Sequence, residues 1–320
     1  MTSISPSTRG PVEHSISIVI ITHNRQREAM CAVRSARAQS VPALEIIVVD
    51  DGSSRPFKLD DLTTVGEPPV RLVRNEKALG PSGARNRGIN AASGNWIAFL
   101  DDDDQFEPEK LEVVGRSITQ HGFETEAFYH PARILMLNEG VEYVSSPPIS
   151  VGRGATFKGL LVKNIVGGTA MVVSRKTALE SAGLFDESLR ALEDYELWLR
   201  MAKNGSRFRF IADPLTRYGC TTARSSVTQS AAAGIETFRQ INNTYAADFA
   251  ALTRREKCEH AMWIHEIELQ RAMLRLDYFG TIQLAWRLLF TFPRFKYAAA
   301  LVASLWGPKT MIRIRSRRSK

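Results

Sequence analysis

The sequence has few cysteines and no long apolar run, and both scarcities limit what kind of protein it can be. Its three cysteines, Cys31, Cys220 and Cys258, are far apart and odd in number, which fits neither a disulfide framework nor a zinc site with paired cysteines. No stretch reaches the ~18 apolar residues of a membrane-spanning helix. Residues 1–14 lack the basic start and apolar run of a signal peptide. We therefore expect a cytoplasmic protein with a loose N-terminal tail.

Sequence signatures of several enzyme classes are missing as well. We find no phosphate-binding P-loop, no nucleophile elbow and no Ser/His/Asp order. The six histidines are scattered, and His260 and His265 are five residues apart, a spacing that does not place two metal ligands on one helix face. These absences argue against the common hydrolases, P-loop NTPases and histidine-based metal enzymes.

Acidic residues are absent from the C-terminal 34 positions, which concentrates the positive charge of the chain there. The formal net charge is +8, while residues 287–320 hold nine Lys or Arg and no Asp or Glu. The preceding 286 residues therefore carry a formal charge of −1. Because the body is nearly neutral and the tail lacks a recognised nucleic-acid module, we do not expect a nucleic-acid partner.

What is present is an alternation of strands and helices. Hydrophobic residues make up 44% of the chain and charged residues 24%, as in ordinary folded proteins. Short β-branched runs at 17–22, 45–50 and 96–100 predict buried parallel strands, with helices predicted over 26–39 and 83–92. We expect an α/β fold with a mostly parallel sheet flanked by helices.

Polar clusters directly follow the predicted strands. They are Thr22 to Arg25, Asp50 to Ser53, and the four aspartates 101–104. Ligands bind beyond the carboxyl ends of strands in such sheets. Each cluster alone is also consistent with a polar turn or a solvated acidic loop. Two acidic clusters at neighbouring strand ends, however, repel unless a cation or a donor-rich ligand lies between them. A diphosphate with Mg²⁺ or Mn²⁺ meets that need.

A further carboxylate, Asp194, lies in a predicted helix over 189–203. Helical periodicity places it on one stripe with Leu197, Trp198 and Met201, where it is the only charge. The same periodicity puts Glu193 on the other side with Glu196 and Arg200. An aspartate at a helix start often only stabilises the terminal N–H groups. The alternative is an inward-facing general base.

Six fragments in order resemble the family 2 glycosyltransferases of GT-A fold, over about two thirds of the chain. The fragments are SIVIITHNR, EIIVVDDGS, LGPSGARNRGI, GNWIAFLDDDD followed by PEKL, GLFDESL and ALEDYELWLR. The resemblance implies a nucleotide-sugar-binding GT-A domain at 15–229. By composition, a helical, basic extension follows at 230–320.

The resemblance also implies roles for individual residues. Asp101 and Asp103 match the family's DxD pair, which holds Mn²⁺ or Mg²⁺, and Asp194 matches the general base. The implied donor-binding residues are Thr22, Asn24, Arg25, Asp51, Arg85, Asp102 and Arg224. Among these, Asp51 would accept from the base, Asp102 would lie nearer the ribose and Arg85 would face the phosphates.

One position departs from the family pattern. Many members carry Arg-x-His after a late strand, and that histidine completes metal binding. This chain reads Arg217-Tyr218-Gly219 instead, with Cys220 beside it. We expect water to take the missing ligand position, or Arg224 to balance the phosphate charge.

The resemblance predicts an inverting, metal-dependent transfer of a sugar from a nucleoside diphosphate sugar, UDP-linked by preference, to a hydroxyl of a glycan or lipid-linked acceptor. Bacterial surface polysaccharide or lipopolysaccharide synthesis is the expected setting. Two alternatives stay open. A sugar nucleotidyltransferase shares this type of sheet, although the loop after the first strand, THNRQREA, has no glycine for its phosphates. An inactive nucleotide-sugar-binding homologue is the other.

The last prediction from sequence concerns residues 286–320. Their many interrupted apolar residues and nine cations indicate an interfacial helix on the inner face of the cytoplasmic membrane. The alternative is a helix packed onto the catalytic domain.

Overall fold

Two β-sheets and twelve α-helices form the computed structural model, which describes residues 15–58, 68–145, 155–222 and 231–317. The larger sheet has seven strands in the order β10-β6-β9-β4-β1-β2-β3. Their bounds are β1 Ile16–Thr22, β2 Glu45–Asp51, β3 Val70–Asn75, β4 Trp96–Asp101, β6 Ala127–Tyr129, β9 Val172–Arg175 and β10 Phe208–Phe210. The predicted α/β fold with a mostly parallel sheet flanked by helices is thereby confirmed.

Parallel pairing of β3, β2, β1 and β4 forms the half of the sheet that carries the polar clusters. Strand β9 then pairs antiparallel with both β4 and β6. Every residue of β2 is buried, as the β-branched run predicts for a strand covered on both faces. Helices α1 Gln26–Arg37, α2 Gly80–Ala91 and α3 Lys110–His121 lie along this half.

Two apolar clusters cover the two faces of the larger sheet. Val19, Val49 and Phe99 belong to one of them, and Ile18 and Ile20 to the other. This assignment follows from the alternation of side chains along a strand. The first cluster extends to α4 Phe157–Val162, α5 Lys176–Ser181 and α6 Glu193–Lys203.

The smaller sheet and the C-terminal helices form a third apolar cluster. The sheet has the order β5-β11-β7-β8, with β5 Gln105–Phe106, β7 Ala132–Met136, β8 Val141–Val144 and β11 Thr216–Cys220. The helices of this cluster are α9 Arg254–Leu274, α10 Tyr278–Thr291, α11 Phe295–Ser304 and α12 Pro308–Arg317. The two helices before them, α7 Ala231–Thr244 and α8 Ala246–Ala250, pack on the first cluster. In the described ranges no helix is both long and apolar enough to cross a membrane.

Two sequence predictions about helices need correction. The helix predicted over 189–203 begins at Glu193, because Leu192 has a left-handed backbone with φ 58° that interrupts the helical path. The segment predicted as one interfacial helix from Trp286 is three helices, α10 to α12, with Pro293 and Pro308 at the breaks. Their inner face packs on α9 and the smaller sheet, as the alternative of a packed helix predicted.

Candidate active site

Strands β1, β2 and β4 end side by side and bring the predicted polar clusters to one edge of the sheet. In the strand register Thr22 lies opposite Asp50, and Ile21 lies opposite Asp101. The first polar loop therefore lies between the two acidic clusters, so the prediction that these clusters follow neighbouring strands is wrong: β1 separates β2 from β4. The convergence expected from the sequence is present, and hydrogen bonds across the three loops fix it.

The first loop, residues 22–25, binds directly to residues 101–104, which we call the aspartate turn. Thr22 is buried and donates its hydroxyl to Asp102 at 2.9 Å. One guanidinium nitrogen of Arg25 lies 3.0 Å from Asp102 and 2.8 Å from Asp103. Burial raises the pKa of Asp102 to about 6, although Arg25 and Thr22 favour its charged form. Arg25 is thus a counter-charge within the turn.

Asn24 organises the facing loop. Its backbone is left-handed, with φ 57°, and its side-chain oxygen accepts from the N–H and the hydroxyl of Ser54 at 2.8 Å each. The Asn24 N–H donates to the Ser53 hydroxyl. Nδ1 of His23 lies 2.7 Å from the Asp51 carbonyl oxygen. These contacts give the β1 and β2 loops one shape and account for the unusual backbone at Asn24.

Asp51, predicted to accept from the nucleobase, already holds a neighbouring loop. One of its oxygens accepts from Asn75 and from the Leu79 N–H at 2.8 Å each, and the other accepts from the Gly80 N–H at 2.9 Å. The carboxylate therefore anchors the start of α2. Gly52 has φ 66°, and an added Cβ would lie 2.5 Å from the backbone of the loop before α2. Glycine is required there for both reasons.

Arg85 on α2 links the aspartate turn to α6. Its buried guanidinium lies 2.8 Å from Asp101 and 2.7 Å from Glu193. The sequence prediction that Glu193 lies away from the site is wrong. The helix stripe assumed an uninterrupted helix, whereas Glu193 is its first residue and follows the left-handed Leu192. Such a backbone costs about 1–3 kcal/mol and persists where surrounding contacts enforce it.

Asp194 is half-buried beside this bridge. One carboxylate oxygen accepts from the Tyr195 N–H at 2.7 Å, so the helix-start role expected from the sequence is present. The other oxygen would lie 3.7 Å from a Cβ added to Gly168, which shows that Asp194 borders the glycine-containing loop before β9. Burial raises the pKa of Asp194 to about 7, and the charge of Glu193 adds to the increase. A carboxylate with this pKa suits proton transfer near neutral pH.

The end of the aspartate turn packs against β11 at the position where the family histidine is missing. Asp104 accepts from the Gly219 N–H at 3.0 Å. A Cβ added to Gly219 would lie 2.5 Å from the carbonyl oxygen of Asp103. A side chain at position 219 would therefore displace the turn, and the close approach explains why this chain has glycine there.

A buried lysine stands behind the turn. Lys110 is fully buried, and its ammonium donates to the Ala170 carbonyl at 2.7 Å and lies 3.2 Å from the Thr216 hydroxyl. Burial holds its pKa well below the ordinary value, with the charge of Asp104 opposing that shift. The sequence analysis missed this residue. The spacing of Lys110, Val114 and Ile118 on the buried face of α3 is the signal that could have found it.

The carboxylates of the turn fit a hard divalent ion that keeps ligands from phosphate and water. Across the described residues, no group of three or more His, Cys, Asp or Glu side chains is arranged to hold a metal. Asp101 and Asp103 nevertheless have side chains 28% and 48% exposed, each facing an arginine. Burial and the charge of Asp101 raise the pKa of Asp103. Arg85 is shared between Asp101 and Glu193, and Arg25 between Asp102 and Asp103, so two cations face four carboxylates. The remaining negative charge suits Mg²⁺ or Mn²⁺, which bind one or two carboxylates plus substrate phosphates.

The structure therefore brings together Thr22, Asn24, Arg25, Asp51, Arg85, Asp101, Asp102, Asp103 and Asp194. Their roles toward a donor or metal stay predictions. Arg224, predicted to face the donor phosphates, lies outside the described residues. The structure adds Glu193, Asp104 and Lys110 to the residues of the candidate site.

Known proteins share this arrangement of sequence and fold. The model of glycosyl transferase family 2 matches residues 17–150. An uncharacterized glycosyltransferase of Haemophilus influenzae is 35% identical over 217 residues, 66% of this chain and 70% of that protein. The amylovoran biosynthesis glycosyltransferase AmsB of Erwinia amylovora is 29% identical over 65% of this chain and 70% of its own length.

Among solved structures, S. aureus TarS 1–349 in complex with UDP-GlcNAc aligns with a TM-score of 0.59 and 17% identity, covering 93% of this chain and 88% of that one. At this identity the likeness shows the fold alone. Taken with the site geometry and the Haemophilus relative, the family match identifies the chain as a glycosyltransferase of family 2.

Proposed function

We propose that the protein is an inverting glycosyltransferase that moves a sugar from a nucleoside diphosphate sugar to an acceptor hydroxyl. The observation that carries the proposal is the bridge from Asp101 through Arg85 to Glu193, which joins the acidic turn to the helix bearing Asp194. Asp194 adds a carboxylate whose raised pKa suits a general base. A binding module would need no such base.

In the proposed reaction Asp194 takes the proton of the acceptor hydroxyl. The hydroxyl oxygen forms a bond to the anomeric carbon as the bond from that carbon to the diphosphate oxygen breaks. A single displacement with one base and no covalent enzyme intermediate inverts the anomeric configuration. Arg85 lies beside Asp101 and would meet the charge on the departing diphosphate.

Asp101 and Asp103 would hold Mn²⁺ or Mg²⁺, which offsets negative charge on the leaving diphosphate when bound. Arg25 lies within contact of Asp103 in the described structure. When Asp103 binds the metal ion, Arg25 would turn toward the donor phosphate. Thr22, Asn24, Asp51, Asp102 and, outside the described residues, Arg224 complete the proposed donor site.

A UDP-linked sugar is the proposed donor, because the TarS structure with the same fold is a complex with UDP-GlcNAc. A glycan or lipid-linked acceptor is proposed because a relative aligned over 70% of its length is an amylovoran biosynthesis glycosyltransferase. Surface polysaccharide synthesis on the inner face of the cytoplasmic membrane is the setting that suits such an acceptor.

A donor screen followed by product analysis tests the proposal. Thermal unfolding with a panel of UDP, GDP and TDP sugars should show one stabilising class in the presence of Mn²⁺. Chelator should abolish both the stabilisation and transfer, and an α-linked donor should give a β-linked product by NMR.

The substitution Asp194→Asn removes the basic carboxylate and keeps the shape of the side chain. Turnover should therefore fall by roughly 10² to 10⁴ with donor affinity little changed.

The same experiment separates the alternatives. An Asp194→Asn protein with wild-type turnover would leave the residue as a helix-start group only. Transfer that survives excess chelator would remove the metal role of Asp101 and Asp103. Donor binding without transfer to any glycan or lipid-linked acceptor would favour an inactive homologue, and release of pyrophosphate from nucleoside triphosphate would favour a nucleotidyltransferase.

A further inference from the structure

Helices α10 and α11 form a hairpin whose inner face is covered, while its outer face is exposed as far as the described residues show. The inner face of α10 consists of Thr281, Ala285 and Leu288, all buried. The Tyr278 hydroxyl donates to the Leu305 carbonyl at 2.8 Å, so the start of α10 lies beside the end of α11. The hairpin therefore presents one continuous outer surface.

Three large aromatic side chains form a stripe along that outer surface, which we call the aromatic ridge. Phe279, Trp286 and Phe290 are 83%, 54% and 65% exposed. Their spacing of seven and four residues places them within about 40° of one another around a helix with 100° per residue. The rings of Trp286 and Phe290 lie 4.2 Å apart between centroids. Such an exposed apolar surface marks an interaction site.

The neighbouring end of α11 extends the ridge. Val302 and Leu305 are exposed, and Trp306 is 68% exposed. The Tyr278 contact places Leu305 beside the residue that precedes Phe279. Both helices of the hairpin thus carry exposed apolar side chains.

The charge around the ridge selects its partner. Exposed Arg287 and Arg294 belong to the run of nine cations without an acidic residue over 287–320. A second copy of the chain would bring two such runs together, and like charges repel. An anionic lipid surface instead attracts each cation. Tryptophan and phenylalanine beside arginine are typical of helices that lie in the membrane interface.

We propose that the aromatic ridge inserts into the boundary between headgroups and acyl chains of an anionic bilayer, with Arg287 and Arg294 on lipid phosphate. The packed inner face holds the hairpin to the body, so the body rests on the membrane in a fixed orientation. The proposal rests on the membrane setting of the proposed function and is independent of the transfer chemistry.

Vesicle sedimentation of the full chain tests the ridge. With phosphatidylglycerol and phosphatidylcholine vesicles, the triple variant Phe279→Ser, Trp286→Ser, Phe290→Ser should bind at least about tenfold more weakly than the parent, given the lost apolar burial. A matched control replaces three exposed apolar residues elsewhere, Leu44, Phe123 and Leu137, by serine and should bind as the parent does. Pure phosphatidylcholine vesicles should bind the parent poorly.

Two results would overturn the proposal. One is unchanged binding of the ridge variant to anionic vesicles. The other is a concentration-dependent dimer of the parent that the ridge variant abolishes, since that result assigns the ridge to a second copy. Donor-dependent thermal stabilisation of the ridge variant should equal that of the parent. If the donor stabilises neither protein, that result would count against the proposed function and not against the ridge.

Discussion

At the scale of single residues, Glu193 adds to the basicity that burial gives Asp194. Both carboxylates begin α6, and the Glu193 charge raises the pKa of Asp194 beyond the effect of burial. Arg85 opposes that effect but shares its charge between Glu193 and Asp101. The sequence pattern located Asp194 but assigned Glu193 to the wrong side of the helix.

The substitution Glu193→Gln should move the pH profile of turnover. It removes the like charge beside Asp194 and leaves Arg85 less neutralised, and both changes lower the pKa of Asp194. Because the base acts in its deprotonated form, the acidic limb of the turnover profile should shift to lower pH. On the plateau above the acidic limb, where Asp194 is deprotonated in both proteins, turnover should fall by roughly tenfold, since a weaker base accepts the proton less readily.

Glu196→Gln is the matched control for this variant. Glu196 lies on the same helix, pairs with Arg200 at 2.6 Å and does not contact Arg85 in the described structure. Its loss should change stability by a few tenths of a kcal/mol to about 1 kcal/mol and leave the acidic limb in place. Equal pH profiles for Glu193→Gln and the parent would leave Glu193 with a structural role only.

At the scale of elements, β11 packs so closely on the aspartate turn that even a methyl group added at position 219 should displace the turn. In Gly219→Ala the new Cβ must move away from the Asp103 carbonyl oxygen, 2.5 Å distant in the present structure. The shift also stretches the hydrogen bond from the 219 N–H to Asp104. Crowding of this kind costs about 1–3 kcal/mol.

We expect Gly219→Ala to need about tenfold more Mn²⁺ for half-maximal turnover, because the displaced turn carries Asp103, and 1.4 kcal/mol corresponds to a tenfold change in binding. The Mn²⁺ dependence of initial rates at saturating donor measures it. The thermal midpoint without donor is the control. An unchanged Mn²⁺ requirement in a folded variant would show that the turn is not held by β11.

The elements differ in how far their sequence predicts them. Strands β1, β2 and β4 were predicted to within one residue at each end, because a continuous β-branched run has few alternatives. The start of α6 was missed by four residues, since only tertiary packing enforces the left-handed Leu192. Asp51 shows the same limit of sequence-based prediction within the site. Its three hydrogen-bond donors belong to residues 75–80, and no local sequence pattern indicates that these residues lie next to Asp51.

At the scale of the whole molecule, helices α7 and α9 pack in the same apolar cluster as one face of the larger sheet. Composition placed a domain boundary at 229/230, and that division stays a prediction, yet buried Phe238 and Trp263 pack in the cluster that contains Tyr195. The Tyr195 ring lies 5.2 Å from Trp263 and 6.3 Å from Phe238 between centroids. Tyr195 follows the proposed base, so these helices support the site from behind.

Two tryptophans of the C-terminal helices should therefore behave in opposite ways. Trp263→Ala should lower the free energy of unfolding by about 3–5 kcal/mol, as for a large side chain removed from a core, because Trp263 is 7% exposed. That loss approaches the whole stability of many domains. Trp286→Ala removes a ring that is mostly in solvent and should change the value by no more than about 0.5 kcal/mol. Denaturant titration without vesicles measures both. Comparable losses in the two variants would mean that the outer face of α10 is covered by the protein itself, and the C-terminal helices would then act as structural support without a membrane-facing side.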